Sequence, residues 1–90
     1  MKVLQTSSFK KSVKKLHKNQ KADLDVAVKA IMSAPLIGSL KVGDLAGVRV
    51  YKFKMQKQLT LLAYEFKDDE IILTLLALGT HENFYDKLKR

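Results

Sequence analysis

Three runs in the second half of the chain constrain the fold most: "VRVYKFKM", "LTLLAYEF" and "IILTLLAL", rich in branched and aromatic residues. Only "QKQ" and "KDDE" separate them. Such runs joined by short turns read as successive antiparallel strands in a meander. Strict alternation in the first run places Val48, Val50, Lys52 and Lys54 on one face and Arg49, Tyr51, Phe53 and Met55 on the other. Both faces carry charge, which predicts a strand near a sheet edge. The last run is apolar on both sides, interrupted only by Thr74; a strand covered on both faces has this character, so a central position is expected.

Ahead of the meander, "KVLQ" suits a short strand, and Thr6, Ser7 and Ser8 offer N-cap hydroxyls to an amphipathic helix with Phe9, Val13 and Leu16 on one side. The opposite side, Lys10, Lys11, Lys14, Lys15 and Lys18, reads as a solvated face, with His17 at the helix surface. Asn19 punctuates before a second helix, where Asp23 and Asp25 complement the N-terminal dipole and Leu24, Ala27, Val28 and Ile31 form the stripe. Pro35 stops that helix near Ala34, giving a helical hairpin. Gly38, Gly43 and Gly47 break any period in "PLIGSLKVGDLAG", an ordered loop without phosphate-loop spacing. After Gly79, Thr80 can cap a final short helix, with Glu82 and Asn83 in its first turn and Lys87, Lys89 and Arg90 in its last. The predicted class is α+β, in the order β-α-α-β-β-β-α, with an antiparallel-rich sheet.

Ninety residues with 47% hydrophobic content fit one domain spanning 1–90. There is no cysteine, and two His without a carboxylate cluster do not suggest a metal site. No metal or cofactor is therefore implied. No apolar run approaches the roughly 18 residues of a membrane span, and "MKVLQTSSFKKSVKK" lacks the apolar stretch of a signal peptide; a cytoplasmic location is expected. The net charge of +8 favours a polyanion or an acidic protein as partner. Two basic surfaces follow from its distribution: seven Lys and no acid from Met1 to Lys21, and Arg49, Lys52, Lys54 and Lys57 together.

Cutting RNA requires removing the ribose 2′-hydroxyl proton, stabilising charge on the phosphorane and protonating the leaving 5′-oxygen, tasks suited to imidazole, lysine, arginine and tyrosine. Such groups stand at strand ends here. Lys52 and Lys54 project from one side of a strand, roughly 6 to 7 Å apart by strand rise, a spacing comparable to successive phosphates. His81 follows the last strand, and Tyr85 lies four positions on, so one helical turn would bring both to one cleft. Each feature has a plainer reading: edge protection for the lysines, a cap for the His, packing for the Tyr.

"GDLAGVRVYKFK", "LTLLAYEF" and "IILTLLALGTHENFYDKLKR" behind two helices resemble the RelE/ParE superfamily of toxins from type II toxin-antitoxin pairs, over nearly the whole chain. "GTHENFY" is similar to the YafQ-like subgroup, and "YKFKM" to the lysine pair of RelE itself. The resemblance implies a RelE-like fold and, for the nuclease branch, metal-independent cleavage of mRNA in the ribosomal A site. It implies His81 as acid/base or leaving-group residue, Tyr85 stacking on a base or ribose, and Lys52 and Lys54 neutralising the scissile phosphate. Arg49, Lys57, Lys10 and Lys14 are further RNA-binding candidates. One departure stands out: Leu61 occupies the place of an arginine on the RelE middle strand, so either the chemistry would lean on His81, as in the His-bearing subgroup, or this member would be weak or work differently. Glu65 alternates with Leu59, Leu61 and Ala63 and is set aside as a base. The resemblance also implies a cognate antitoxin, acidic or bearing an amphipathic helix, as partner beside ribosome and mRNA. The alternative is a gyrase inhibitor of the ParE branch or a toxin-fold binding protein that has lost catalysis.

Overall fold

The computed structural model describes residues 1–80 and Phe84. Its elements are β1 (Lys2–Gln5), α1 (Ser7–Lys14), α2 (Lys18–Ser33), β2 (Ser39–Leu40), a 3-10 turn (Gly43–Leu45), β3 (Arg49–Met55), β4 (Gln58–Lys67) and β5 (Ile72–Gly79). The class is α+β as expected, with β2 as an addition to the predicted order. The expected C-terminal helix lies outside the described residues. The five strands form one sheet in the order β1-β5-β4-β3-β2. β1 runs parallel to β5, while β2–β3, β3–β4 and β4–β5 are antiparallel.

Both helices lie against one face of this sheet. α1 delivers Phe9 and Val13, the turn that follows it delivers Leu16, and α2 delivers Leu24, Val28 and Ile31, to a core shared with Met55, Leu62, Tyr64, Leu73 and Leu75. Ile31, Leu62 and Leu73 are wholly inaccessible, a burial that contributes about 1.5 to 3 kcal/mol for each such side chain. Thr6 caps α1: its Oγ1 accepts from the Phe9 N–H at 3.1 Å and donates to the Leu76 carbonyl at 2.6 Å, tying the helix start to β5.

The start of α2 differs from expectation. The helix begins at Lys18, with His17 as N-cap in extended geometry, and the His17 N–H donates to Gln20 Oε1 at 2.8 Å. Asn19 is therefore inside the helix, and Asp23 and Asp25 fall beyond its first turn, where the macrodipole no longer favours them. Asp23 instead holds a strand turn, described below.

β5 is internal, with β1 on one side and β4 on the other, but β4 is the middle strand of the five. Its two-sided apolar character also has a second cause. Ala63 pairs with Ala77 while Tyr64 pairs with Leu75, so Leu76 is an extra residue in the ladder. This bulge changes the alternation. Leu73 and Leu75 pack towards the helices, Leu76 and Ala77 both pack on the opposite face, and Leu78 returns to the helix side.

Gln56 and Lys57 alone connect β3 to β4, with Met55 paired to Gln58 and φ of 49° and 71°. A two-residue turn with both residues left-handed normally takes Asn-Gly; with larger side chains, each such residue costs about 1 to 2 kcal/mol. The cost is offset from α2. Asp23 Oδ2 accepts from the Gln56 N–H at 2.8 Å and from Gln56 Nε2 at 2.9 Å.

Candidate nucleic-acid interface

The face of the sheet away from the helices has a small apolar core of its own, made by Val48, Val50, Leu61, Ala63, Ala77 and Phe84, with Leu45 and Leu76 beside it. Alternation along β3 continues from Val48 and Val50 to Lys52 and Lys54, which are exposed on this open face. Lys52 is in register with Leu61, Lys54 with Leu59, and Leu61 with Gly79. Lys52, Leu61 and Gly79 thus form one row across three strands. Interstrand spacing puts the Lys52 backbone about 10 Å from that of Gly79, within reach of a lysine side chain and one phosphate.

Leu61 is 5% exposed, packed with Phe84 in the open-face core. Gly79 permits the approach of the Phe84 side chain: a Cβ there would stand 2.7 Å from Phe84 Cβ. The apolar residue at 61 is therefore a packing partner for Phe84. Nothing in the sequence signalled this contact, because it joins residues far apart in the chain.

The predicted site residues distribute unevenly. Lys52 and Lys54 are brought together on the open face, and among the described residues neither ammonium is in an ion pair. His81 and Tyr85 lie outside the described residues; the described residue before each, Thr80 and Phe84, follows in sequence from the Gly79 end of the Lys52 row. Lys57 is exposed at the β3–β4 turn. Lys10 and Lys14 are exposed on α1, whose Phe9 and Val13 pack on the helix-covered face, so they lie across the sheet from the lysine pair.

Arg49 alternates to the helix side of β3 and is engaged there. Its Nη1 donates to the carbonyls of Leu36 at 3.2 Å and Gly38 at 2.9 Å, so this guanidinium organises the loop before β2. Tyr64, fully buried, completes the arrangement: its hydroxyl donates to the Pro35 carbonyl at 2.7 Å and accepts from the Gly38 N–H at 2.9 Å. A Cβ at Gly38 would meet the Tyr64 hydroxyl oxygen at 2.8 Å, which is why glycine stands there. Burial pushes the Tyr64 phenol above its ordinary value, opposed by the Gly38 hydrogen bond and the nearby Arg49 charge. Glu65 shares the open face but pairs with Thr74, beyond the start of β3; it is four residues from Leu61, about 13 Å along the strand from the Lys52 row.

A five-stranded sheet backed on one face by two helices has counterparts among known proteins. Residues 3–89 match the family described as ParE-like toxin of type II bacterial toxin-antitoxin system. The chain belongs to that family. Among solved structures it is similar to a mutant of the E. coli toxin RelE in the free state, with TM-score 0.73, 17% identity and coverage of 98% of this chain and 90% of that one. It is also similar to a chain of the intact E. coli RelBE toxin-antitoxin complex (TM-score 0.71, 18% identity, 90% of this chain and 96% of that one). A chain of a RelBE-type toxin-antitoxin complex from Mycobacterium tuberculosis aligns at TM-score 0.60 and 17% identity, over 89% of this chain and 96% of that one. No curated protein matches significantly.

Proposed function

We propose that this toxin is a ribosome-dependent mRNA endonuclease that cuts without a metal and thereby stops translation in the cytoplasm, as one domain over residues 1–90. The exposed Lys52–Lys54 pair, of which Lys52 shares a row through Leu61 with the strand end that precedes His81 in the sequence, carries the reading. The two ammonium groups hold the scissile phosphate and offset the charge that grows on its oxygens. As the 2′-oxygen passes its proton to water and attacks phosphorus, the bond to the 5′-oxygen breaks, and that oxygen takes up a proton from a general acid. His81 is the group suited to this transfer, since imidazole alone among the candidates changes charge near neutral pH. Tyr85 stacks on or orients a base or ribose. Lys57 at the β3–β4 turn, and Lys10 and Lys14 on α1, are the proposed wider RNA contacts; Arg49, at the opposite end of β3 and on its helix side, contributes through the loop it holds.

The partner in the cell is a cognate antitoxin, as in the toxin-antitoxin complexes of similar fold. With a toxin of net charge +8, an acidic segment or an amphipathic helix with acidic borders is the complementary surface. The deciding experiment is translation in vitro with purified toxin, reading message breaks by primer extension. Cleavage only of ribosome-bound message, lost in His81→Ala and in Lys52→Ala/Lys54→Ala, is the expected result. Intact message together with gyrase-dependent DNA breaks would replace this reading with that of a gyrase inhibitor.

A further inference from the structure

The lysine pair sits on a poorly secured stretch of sheet. β2 pairs with β3 only at Arg49 and Val50, so from Tyr51 to Met55 the outer edge of β3 has no strand partner among the described residues. β4 holds the other edge, through the register that ends at Met55 and Gln58. The turn that closes this register is the strained Gln56–Lys57 pair, a sequence with little intrinsic preference for a left-handed two-residue turn. A hairpin end held on one side by a ladder and on the other by an unfavourable turn would splay and twist, carrying Lys54 with it. α2 prevents this. Asp23 Oδ2 receives both the backbone N–H and the side-chain amide of Gln56, at 2.8 and 2.9 Å, and Gln56 Nε2 also points at the Asn19 carbonyl, at 3.5 Å. A half-buried carboxylate on the helix is thus tied to the turn two residues beyond Lys54.

We propose that Asp23 and Gln56 form a clamp that positions the Lys52–Lys54 pair for its phosphate, Asp23 and Gln56 acting as positioning residues through the turn between them. The inference rests on the assignment of those lysines to a phosphate. Asp23→Ala removes the acceptor; Gln56→Asn supplies a residue that adopts the left-handed turn readily without the clamp. The test uses the purified full chain and two readouts: KM and kcat for ribosome-bound message, and the Kd of an uncleavable 2′-O-methyl RNA oligonucleotide. Asp23→Ala is expected to weaken oligonucleotide binding several-fold and to reduce kcat/KM by roughly tenfold or more, with exchange protection of the Gln56 N–H lost. Asp23→Ala/Gln56→Asn is expected to restore most of the affinity. In the Lys52→Ala/Lys54→Ala background, Asp23→Ala should cause no further loss, because a positioning effect disappears with the groups it positions. Unchanged affinity in Asp23→Ala, or an equal loss with and without the lysines, overturns the clamp. A wild-type chain that binds the oligonucleotide through the lysine pair but cuts no message would end the nuclease reading alone, leaving the clamp to stand or fall on the binding cycle.

Discussion

The two faces of the sheet are built from the same strands by different rules. Towards the helices, β3 contributes Tyr51, Phe53 and Met55, β4 contributes Leu62 and Tyr64, and β5 contributes Leu73 and Leu75, with Leu62, Tyr64 and Leu73 wholly inaccessible. The open face uses smaller residues, Val48, Val50, Ala63 and Ala77, beside Leu61 and Phe84, and then gives way to two exposed lysines. One face concentrates the buried area that stabilises the fold, and this frees the other to carry charge that no helix could cover without desolvating it. Stability and function should therefore separate by face.

The largest effect should come from cutting into the helix-covered core. Leu73→Ala removes a fully buried side chain from the contact between α1 and β5, with an expected loss of about 2 to 5 kcal/mol; urea denaturation measures it. On the open face, Lys52→Ala/Lys54→Ala should shift stability by no more than about 0.5 kcal/mol. The same pair should lower message cleavage by about 10² to 10³-fold, equivalent to roughly 2.7 to 4 kcal/mol of lost transition-state stabilisation, read as single-turnover rates on stalled ribosomes. A lysine double variant that unfolds the protein, or a Leu73 variant that loses activity while keeping its melting temperature, would break the division between faces.

Much of this division was legible in the sequence. Alternation alone placed Lys52 and Lys54 on one side of β3 and Tyr51, Phe53 and Met55 on the other, because a flat strand keeps strict period two. The same rule misled in β5. The bulge at Leu76 inserts a residue without a glycine or proline to announce it, so an apolar run that switches faces looked like a strand buried on both. The turn partner of Asp23 was equally hidden: an acid early in a helix reads as a dipole complement, whereas its use here depends on a residue 33 positions away. Of the candidate site, the lysine row is seen in the fold, and His81 and Tyr85 lie outside the described residues.

Tyr64 tests whether the helix-side core also sets the loop that borders β3. Tyr64→Phe keeps the ring but leaves the Gly38 N–H and the Pro35 carbonyl without their partner, which should cost about 1 to 3 kcal/mol. It should also change the alkaline limb of stability. The buried phenol ionises above its ordinary value of 10.0, so the unfolded chain loses this proton first. The contribution is complete below about pH 10 and is lost as pH rises through the folded value. Denaturation midpoints between neutral pH and pH 11 should therefore fall less steeply in the phenylalanine variant. An identical slope in both proteins would mean that Tyr64 is not shielded from solvent as the helix-side packing requires.

A smaller effect than that of Tyr64 concerns a hydroxyl that joins the two faces. Thr6 Oγ1 caps α1 through the Phe9 N–H and donates to the carbonyl of Leu76, the bulged residue whose side chain packs on the open face. Thr6→Ala should cost about 1 kcal/mol, the usual value of a lost N-cap, and Thr6→Ser should recover most of it because serine keeps both hydrogen bonds. If the hydroxyl served the cap alone, Thr6→Asp would be as good a replacement, since a carboxylate accepts from the helix N–H as well as a hydroxyl does. A carboxylate cannot donate to the Leu76 carbonyl, however, and would set two acceptors against each other across a part-buried contact. Thr6→Asp is therefore expected to be less stable than Thr6→Ser, with faster amide exchange around Leu76 and Ala77. Equal stability of the two would reduce the Thr6 side chain to a helix cap and leave the bulge to be held by the backbone ladders on either side of β5.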